Sequence, residues 1–208
     1  ILISQVAIAI RNARLFASEE EKTRILKFRS EIDSTIAKSN NLQQMLQRCT
    51  EIIVSYLGVA FARIWTHNPQ EKLLYLQSSA GMYTHTDGSH SRIPVGKFKI
   101  GLIAQERKPH ITNSVQTDER VSNKQWAIYE KMVAFAGYPL IADSELMGVV
   151  AMFSKQLLNQ NTINTLSFIA GEIAVAIKQK GIEKALQQKE EEYRSIFETV
   201  SDGLSIFD

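Results

Sequence analysis

The chain has 208 residues, 44% of them apolar and 22% charged, which is material for one sizeable core with appendages. A net charge of +2, with acids and bases interspersed, gives no electrostatic case for nucleic acid or an anionic membrane as partner. A single cysteine, Cys49, excludes an intrachain disulfide framework and fits a reducing, cytoplasmic setting, and no apolar run reaches the roughly 20 residues of a membrane span.

Residues 1–57 contain neither Pro nor Gly and read as helix. The opening "ILISQVAIAI" lacks a basic lead and runs on into "RNARLFASEEEKTR", so it reads as a helix entered in mid-course and not as a signal peptide. From Ile25 a seam in steps of three and four can be counted: Ile25, Phe28, Ile32, Thr35, Ser39, Leu42, Leu46, Cys49, Ile53, Tyr56. Its apolar members Ile25, Phe28, Ile32, Leu42, Leu46 and Ile53 predict a homodimer seam. "KSNN" at 38–41 can restart the helix, because Ser and Asn favour caps over interiors. Pairing between copies is expected before Asn40, and packing on the chain's own sheet after it.

Gly58 ends this helix and the period changes. "VAFARIWTH" (59–67) and "KLLYLQSSAG" (72–81) read as two strands joined by the turn "NPQE", and "MYTHTDGSHSR" as a loop. A short helix is predicted at 101–107, a short strand at 109–112 and a second helix capped by Ser122 or Asn123. "AFAGYPLIADSELMGVVAMFS" predicts a hairpin, with strands near 134–142 and 146–154 around Asp143-Ser144-Glu145. Helical period returns from Asn159 and runs on through "KALQQKEEEYRSIF". Hairpin-joined strands with helices gathered on one face describe an α+β domain around an antiparallel sheet.

Catalytic signatures are missing. The chain has no G-x-G-x-x-G, P-loop or G-x-S-x-G pattern. His85, Asp87 and His90 share one loop at a spacing that fits no familiar metal site, so no metal is expected. None of the four histidines falls in a predicted helix, where a phosphoaccepting histidine sits.

"SSAGMYTHTDGSHSRIPVGKFKIGLIAQERKPHITN" and "AFAGYPLIADSELMGVVAMFS" resemble the GAF domains of cyanobacterial-type multi-sensor histidine kinases. The resemblance covers residues 41–178 and implies a sheet of five to six antiparallel strands, with long terminal helices on one face and small helices and loops on the other. "QVAIAIRNARLF" is similar to "EIAVAIKQKGIE" at 172–183 and resembles the last helix of a preceding GAF domain. "EEEYRSIFETVSDGLSIFD" resembles the first helix and first strand of a PAS domain. The implied organisation is a preceding GAF helix at 1–17, a helical linker at 18–40, the GAF domain, a second helical linker at 179–192 and the truncated start of a PAS domain at 193–208.

The family's ligands lie between the sheet and the small helices. Phe61 and Arg63 share one face of the first strand by its period of two. Phe98, Ile100, Trp126, Tyr129, Phe135 and Tyr138 come from the segments that close the family's pocket, so these eight are the candidate ligand-binding residues. An Arg among aromatics suits a carboxylate or phosphate. Three cofactors fit poorly, and none is expected. Bilin attachment uses a cysteine in the later helical region, where "SNKQWAIYEKMV" has none. Cyclic-nucleotide GAF domains carry an Asn-Lys pair, a Phe and then Asp-Glu; Asn123-Lys124 and Phe135 match, but Pro139-Leu140 stand where Asp-Glu belong. Haem has only His110 as an axial candidate.

The resemblance thus implies a non-enzymatic sensory module, its parent a histidine kinase of a two-component phosphorelay. It would pass a change induced by an unknown small molecule or a partner through its terminal helices to a PAS domain. The alternative is a ligand-free homodimerising relay built on the N- and C-terminal helices.

Overall fold

Polar side chains at 39–41 divide the long N-terminal helix. The computed structural model describes residues 2–204. α1 (Leu2–Lys38) stops there, and Asn41 starts α2 (Leu42–Leu57) by accepting the backbone N–H groups of Gln43 and Gln44. Gly58 closes α2 in the left-handed conformation (φ 63°). α2 folds back antiparallel along α1. Arg24 donates to the Tyr56 carbonyl at 2.8 Å, and Glu31 accepts from the Tyr56 hydroxyl at 2.8 Å and from Arg48 at 3.1 Å.

The chain then builds β1 (Phe61–Asn68), β2 (Leu73–Gly81), β3 (Arg92–Pro94), α3 (Phe98–Glu106), β4 (His110–Thr112), α4 (Lys124–Tyr129), β5 (Ala134–Ala142), β6 (Glu145–Ser154) and α5 (Gln160–Leu204). The six strands form one antiparallel sheet in the order β3-β2-β1-β6-β5-β4. The α+β fold class is thus as expected from the sequence. β3 is an addition: its three residues sit at the end of a polar loop and pair with Leu73–Tyr75, too briefly for an alternating pattern to show. The β5–β6 hairpin turns on Asp143 and Ser144, both at positive φ (48° and 66°), the two-residue geometry that matches strand twist.

The period of two splits each strand between two cores. Ala62 and Ile64 of β1, Ala134, Ala136, Tyr138 and Leu140 of β5, and Val150 and Met152 of β6 face α1, α2 and α5. Phe61 and Trp65, Phe135, and Val149 and Ala151 face α3, α4 and the loops. Each fully buried Leu, Ile or Phe contributes roughly 1.5–3 kcal/mol, so both faces are needed for a stable sheet.

The seam residues after Asn40 pack within the chain, as expected, and Phe28 and Ile32 before it do so as well. Phe28, Ile32, Leu46 and Ile53 lie in the chain's own helix-side core, with Leu42 packed against it and Ile25 half-buried. Because α2 turns back on α1, the two halves of the repeat face each other and the sheet. The exposed apolar residues lie elsewhere: Val6, Ile8, Ile10, Leu15, Phe16 and Leu26 on α1, and Val175, Ile182, Leu186, Tyr193, Ile196 and Phe197 on α5. α1 and α5 run unbroken through the proposed domain borders at 17/18, 178/179 and 192/193. Residues 205–208, which include the expected PAS strand, lie outside the described residues. Lys178 ties α5 to the β5–β6 hairpin, its Nζ lying 3.2 Å from Asp143 and 3.1 Å from Glu145.

Gly148 sits where β6 runs closest to β1. A Cβ there would lie 1.9 Å from the Trp65 carbonyl oxygen. Gly148→Ala is therefore expected to cost about 3 kcal/mol by forcing the two central strands apart. Gly171→Ala, on α5 with nothing within 4 Å of the added Cβ, is expected to stabilise by about 0.5–1 kcal/mol. Urea unfolding of the two variants checks the contrast in sign.

Candidate ligand-binding site

On the sheet face opposite α1, α2 and α5 lies a cavity of about 330 Å³. Its floor is β1, β5 and β6, supplying Phe61, Arg63, Trp65, Phe135, Ala151 and Phe153. Its walls are Phe98, Lys99 and Ile100 from α3, Trp126 from α4, Ile93 from β3, and loop residues including Tyr83, His85, His90, Arg120 and Asn123.

The aromatic wall is fixed by ring packing. Phe61 stacks on Phe153 at 5.1 Å between centroids, and Trp126 meets Phe153 edge-on at 5.2 Å. The Trp126 indole N–H donates to the Tyr83 hydroxyl at 3.0 Å, and Asn123 caps α4 by accepting from the Trp126 backbone N–H at 2.9 Å. The Trp65 indole N–H donates to the His90 carbonyl at 2.9 Å and holds that loop over the cavity. Phe98 opens α3 at φ 54°, a strained conformation for a bulky side chain, and it is largely exposed.

Three cations line the cavity, and their partners differ. Arg120 is paired with Glu106 through two bonds of 3.1 and 3.2 Å. Lys99 donates to Asp118 at 3.1 Å and lies 4.1 Å from the Phe135 ring centroid. Asp118 also takes His110 at 2.7 Å and the Arg120 backbone N–H at 2.8 Å. Burial pushes the Asp118 carboxyl up, but these donors outweigh it and hold the group down at about 2. Burial pulls the Lys99 ammonium down, and its bond to Asp118 opposes that.

Arg63 is different. It is only 8% exposed, and its one hydrogen bond is from Nε to the Ser79 hydroxyl at 3.1 Å. Ser79 in turn donates to the Tyr83 carbonyl at 2.6 Å. Among the described residues no carboxylate pairs with the guanidinium, and its two terminal nitrogens have no acceptor. Burial lowers its affinity for the proton. Burial and the nearby Arg63 charge likewise hold the His90 imidazole below its usual value.

Of the eight candidate residues, Phe61, Arg63, Phe98, Ile100, Trp126 and Phe135 line the cavity. Tyr138 does not: it points to the helix-side core and donates to the Ile163 carbonyl at 3.2 Å. Tyr129, at the end of the short α4, is 83% exposed and outside the cavity. Sequence reasoning missed Lys99, Tyr83, His90, Arg120 and Phe153. Phe153 was within reach, because its β6 face follows from Phe61 by strand pairing. The loop residues carry no period.

His110 bonds Asp118 and is not part of the cavity lining. Among the described residues no three His, Cys, Asp or Glu side chains are grouped to hold a metal ion. Cys49 is fully buried in the helix-side core, across the sheet from the cavity, and burial pushes its thiol up to about 12. No helix of the described residues is long and apolar enough to cross a membrane.

A family model described as a GAF domain matches residues 39–178. The fold is similar to the GAF domain of a phosphoenolpyruvate-protein phosphotransferase from Coxiella burnetii, at 17% identity and a TM-score of 0.69 over 78% of this chain and 98% of that one. The Nlh2 GAF domain of A. aeolicus, in an inactive state, has 20% identity and a TM-score of 0.66 over 76% and 98% of the two chains. A free methionine-R-sulfoxide reductase from Neisseria meningitidis, solved with its substrate, has 17% identity and a TM-score of 0.58 over 75% and 89%. No relative was found among curated proteins.

Proposed function

The chain belongs to the GAF domain family, and from that premise we propose that it is a sensory module. A small molecule in the cavity would bias its outer helices and, through them, a following PAS domain and the output of a histidine kinase. The observation that carries this reading is the placement of the cavity. It is built on strands whose opposite faces hold α1, α2 and α5.

One short segment joins the two sides. Ser79 holds Arg63 from the cavity face. Its neighbour Ser78, on the other face, shares a hydrogen bond of 2.6 Å with Thr50 of α2. Gln43 and Gln47 of α2 donate to the carbonyls of Gln77 and Ser79. α2 passes the restraint to α1 through Glu31, Arg48 and Tyr56. A ligand that pulls Arg63 in one direction therefore acts on β2 where α2 is fastened. Hydrogen exchange at residues 43–57, with and without a compound that binds the cavity, tests this. Slower exchange there supports the relay; changes confined to α3 and α4 would end it.

The second reading is a ligand-free relay that works by homodimerisation. It is favoured by a new seam on α5: Val175, Ile182, Leu186, Tyr193 and Ile196 are all exposed and fall in steps of three and four, with Gln179 and Lys189 between them. Light scattering of the chain is expected to give twice the monomer mass, and Ile182→Asp with Leu186→Asp to halve it. An unchanged mass in that double variant would remove α5 as the seam.

An enzymatic role like that of the sulfoxide reductase finds no support in the chain. Reduction of a sulfoxide by protein side chains needs a thiol at the substrate, and Cys49 lies on the other side of the sheet.

A further inference from the structure

We propose that the cavity selects a singly charged aromatic carboxylate, with Arg63 as its anion anchor. The inference deepens the sensory reading above and rests on it. It begins from charge. Of the three cations lining the cavity, Lys99 is neutralised by Asp118 and Arg120 by Glu106. Arg63 alone among them has no carboxylate partner among the described residues; its side chain is largely shielded, and its terminal nitrogens are open to the cavity. A partly desolvated cation facing a half-enclosed cavity with no counter-charge of its own is placed to take one from a ligand. Its Nε is held by Ser79, which orients the planar group and leaves both terminal nitrogens free. That two-pronged fork matches the two oxygens of a carboxylate.

The body of the ligand follows from the wall. Phe61, Phe153 and Trp126 stand at mutual distances of 5.1–6.1 Å, in stacked and edge-on orientations that accept a flat ring. A volume of about 330 Å³ is at the small end for ligand sites, which suits one or two fused rings and a short acid arm. One unmatched positive charge calls for one negative charge. A phosphate monoester would bring a second, and the neighbouring cations are already paired.

The test compares acids with their neutral isosteres by titration calorimetry at pH 7. Phenylacetate, indole-3-acetate and 4-hydroxycinnamate are each titrated against the matching primary amide, and phenyl phosphate is added as the divalent probe. At least one acid is expected to bind at least about 10-fold more tightly than its amide. Arg63→Met is expected to weaken that acid by about 30- to 100-fold, the range for a charged hydrogen-bonded contact, and to leave the amide unchanged. Arg63→Lys should keep part of the preference for the acid. Amides that bind as well as acids would overturn the anion assignment and leave the cavity standing as a ligand site. Phenyl phosphate binding more tightly than every acid would overturn the carboxylate. If no member of either series binds, both this inference and the small-molecule reading fall. The acid–amide comparison uses the unaltered chain, so it holds even if an Arg63 variant folds poorly.

Discussion

Asp118→Asn is expected to destabilise the fold by about 3 kcal/mol, the cost of leaving a buried ammonium without its carboxylate. Lys99 and Asp118 each expose only 8% of their side chains. Removing the carboxylate strands Lys99 against Phe135 and also takes the partner from His110. Exposed pairs such as Lys22–Glu19 are worth far less, because water screens them. The loss should have a pH signature. The Asp118 carboxyl is held at about 2, below its ordinary 3.8, so the stability it confers is fully present above pH 4. It fades as the pH falls through 2, where the group takes up its proton in the folded protein too. Urea unfolding of the two proteins should therefore show a gap at pH 4 that shrinks as the pH falls towards 2. A gap that stays undiminished between pH 4 and 2 would mean that Asp118 is not the ionised partner. The double variant Lys99→Met, Asp118→Leu removes both charges together and should recover most of the stability.

Arg63→Met should do the reverse and stabilise the ligand-free protein, by about 1 kcal/mol. The substitution keeps most of the side chain's apolar length, removes a partly desolvated charge that has no carboxylate partner among the described residues and gives up one hydrogen bond to Ser79. A protein made more stable by losing the group that binds its ligand is the expected mark of a functional site. The measurement is the thermal midpoint of both proteins without ligand. A midpoint that falls by several degrees would mean that Arg63 is chiefly structural, held by contacts with the rings of Phe61 and Tyr83.

How far the sequence could be read depended on period. The alternation in Phe61-Ala62-Arg63 places Arg63 on one face with Phe61, and both side chains line the cavity, together with Trp65. The same rule, applied to β5, separates Tyr138 from Phe135, because three steps along a strand reverse the face. Tyr138 was assigned by segment and not by face, and the sequence contained its correction. Tyr129 follows Trp126 at a helical spacing, but α4 has only six residues and ends there, so helical neighbourhood does not hold it over the cavity. The repeat from Ile25 to Tyr56 is real, yet a three- and four-step pattern does not say what covers it. The break at residues 39–41 brought its two halves together. Between Lys99 and Asp118 lie the rest of α3, β4 and two loops, and only the fold brings the two side chains together.

The clamp of Lys178 between Asp143 and Glu145 also has a mechanical meaning. It marks the point where α5 leaves the domain, just past the buried Ile173, Ala174, Ala176 and Ile177, and 26 further residues extend from there to Leu204. At 1.5 Å per residue that is a length of about 39 Å. A tilt of about 5° at the clamp then sweeps the far end through roughly 3 Å, which matches the small helix shifts that switch signalling interfaces. In the relay proposed above, the two carboxylates would serve as a fulcrum for that displacement.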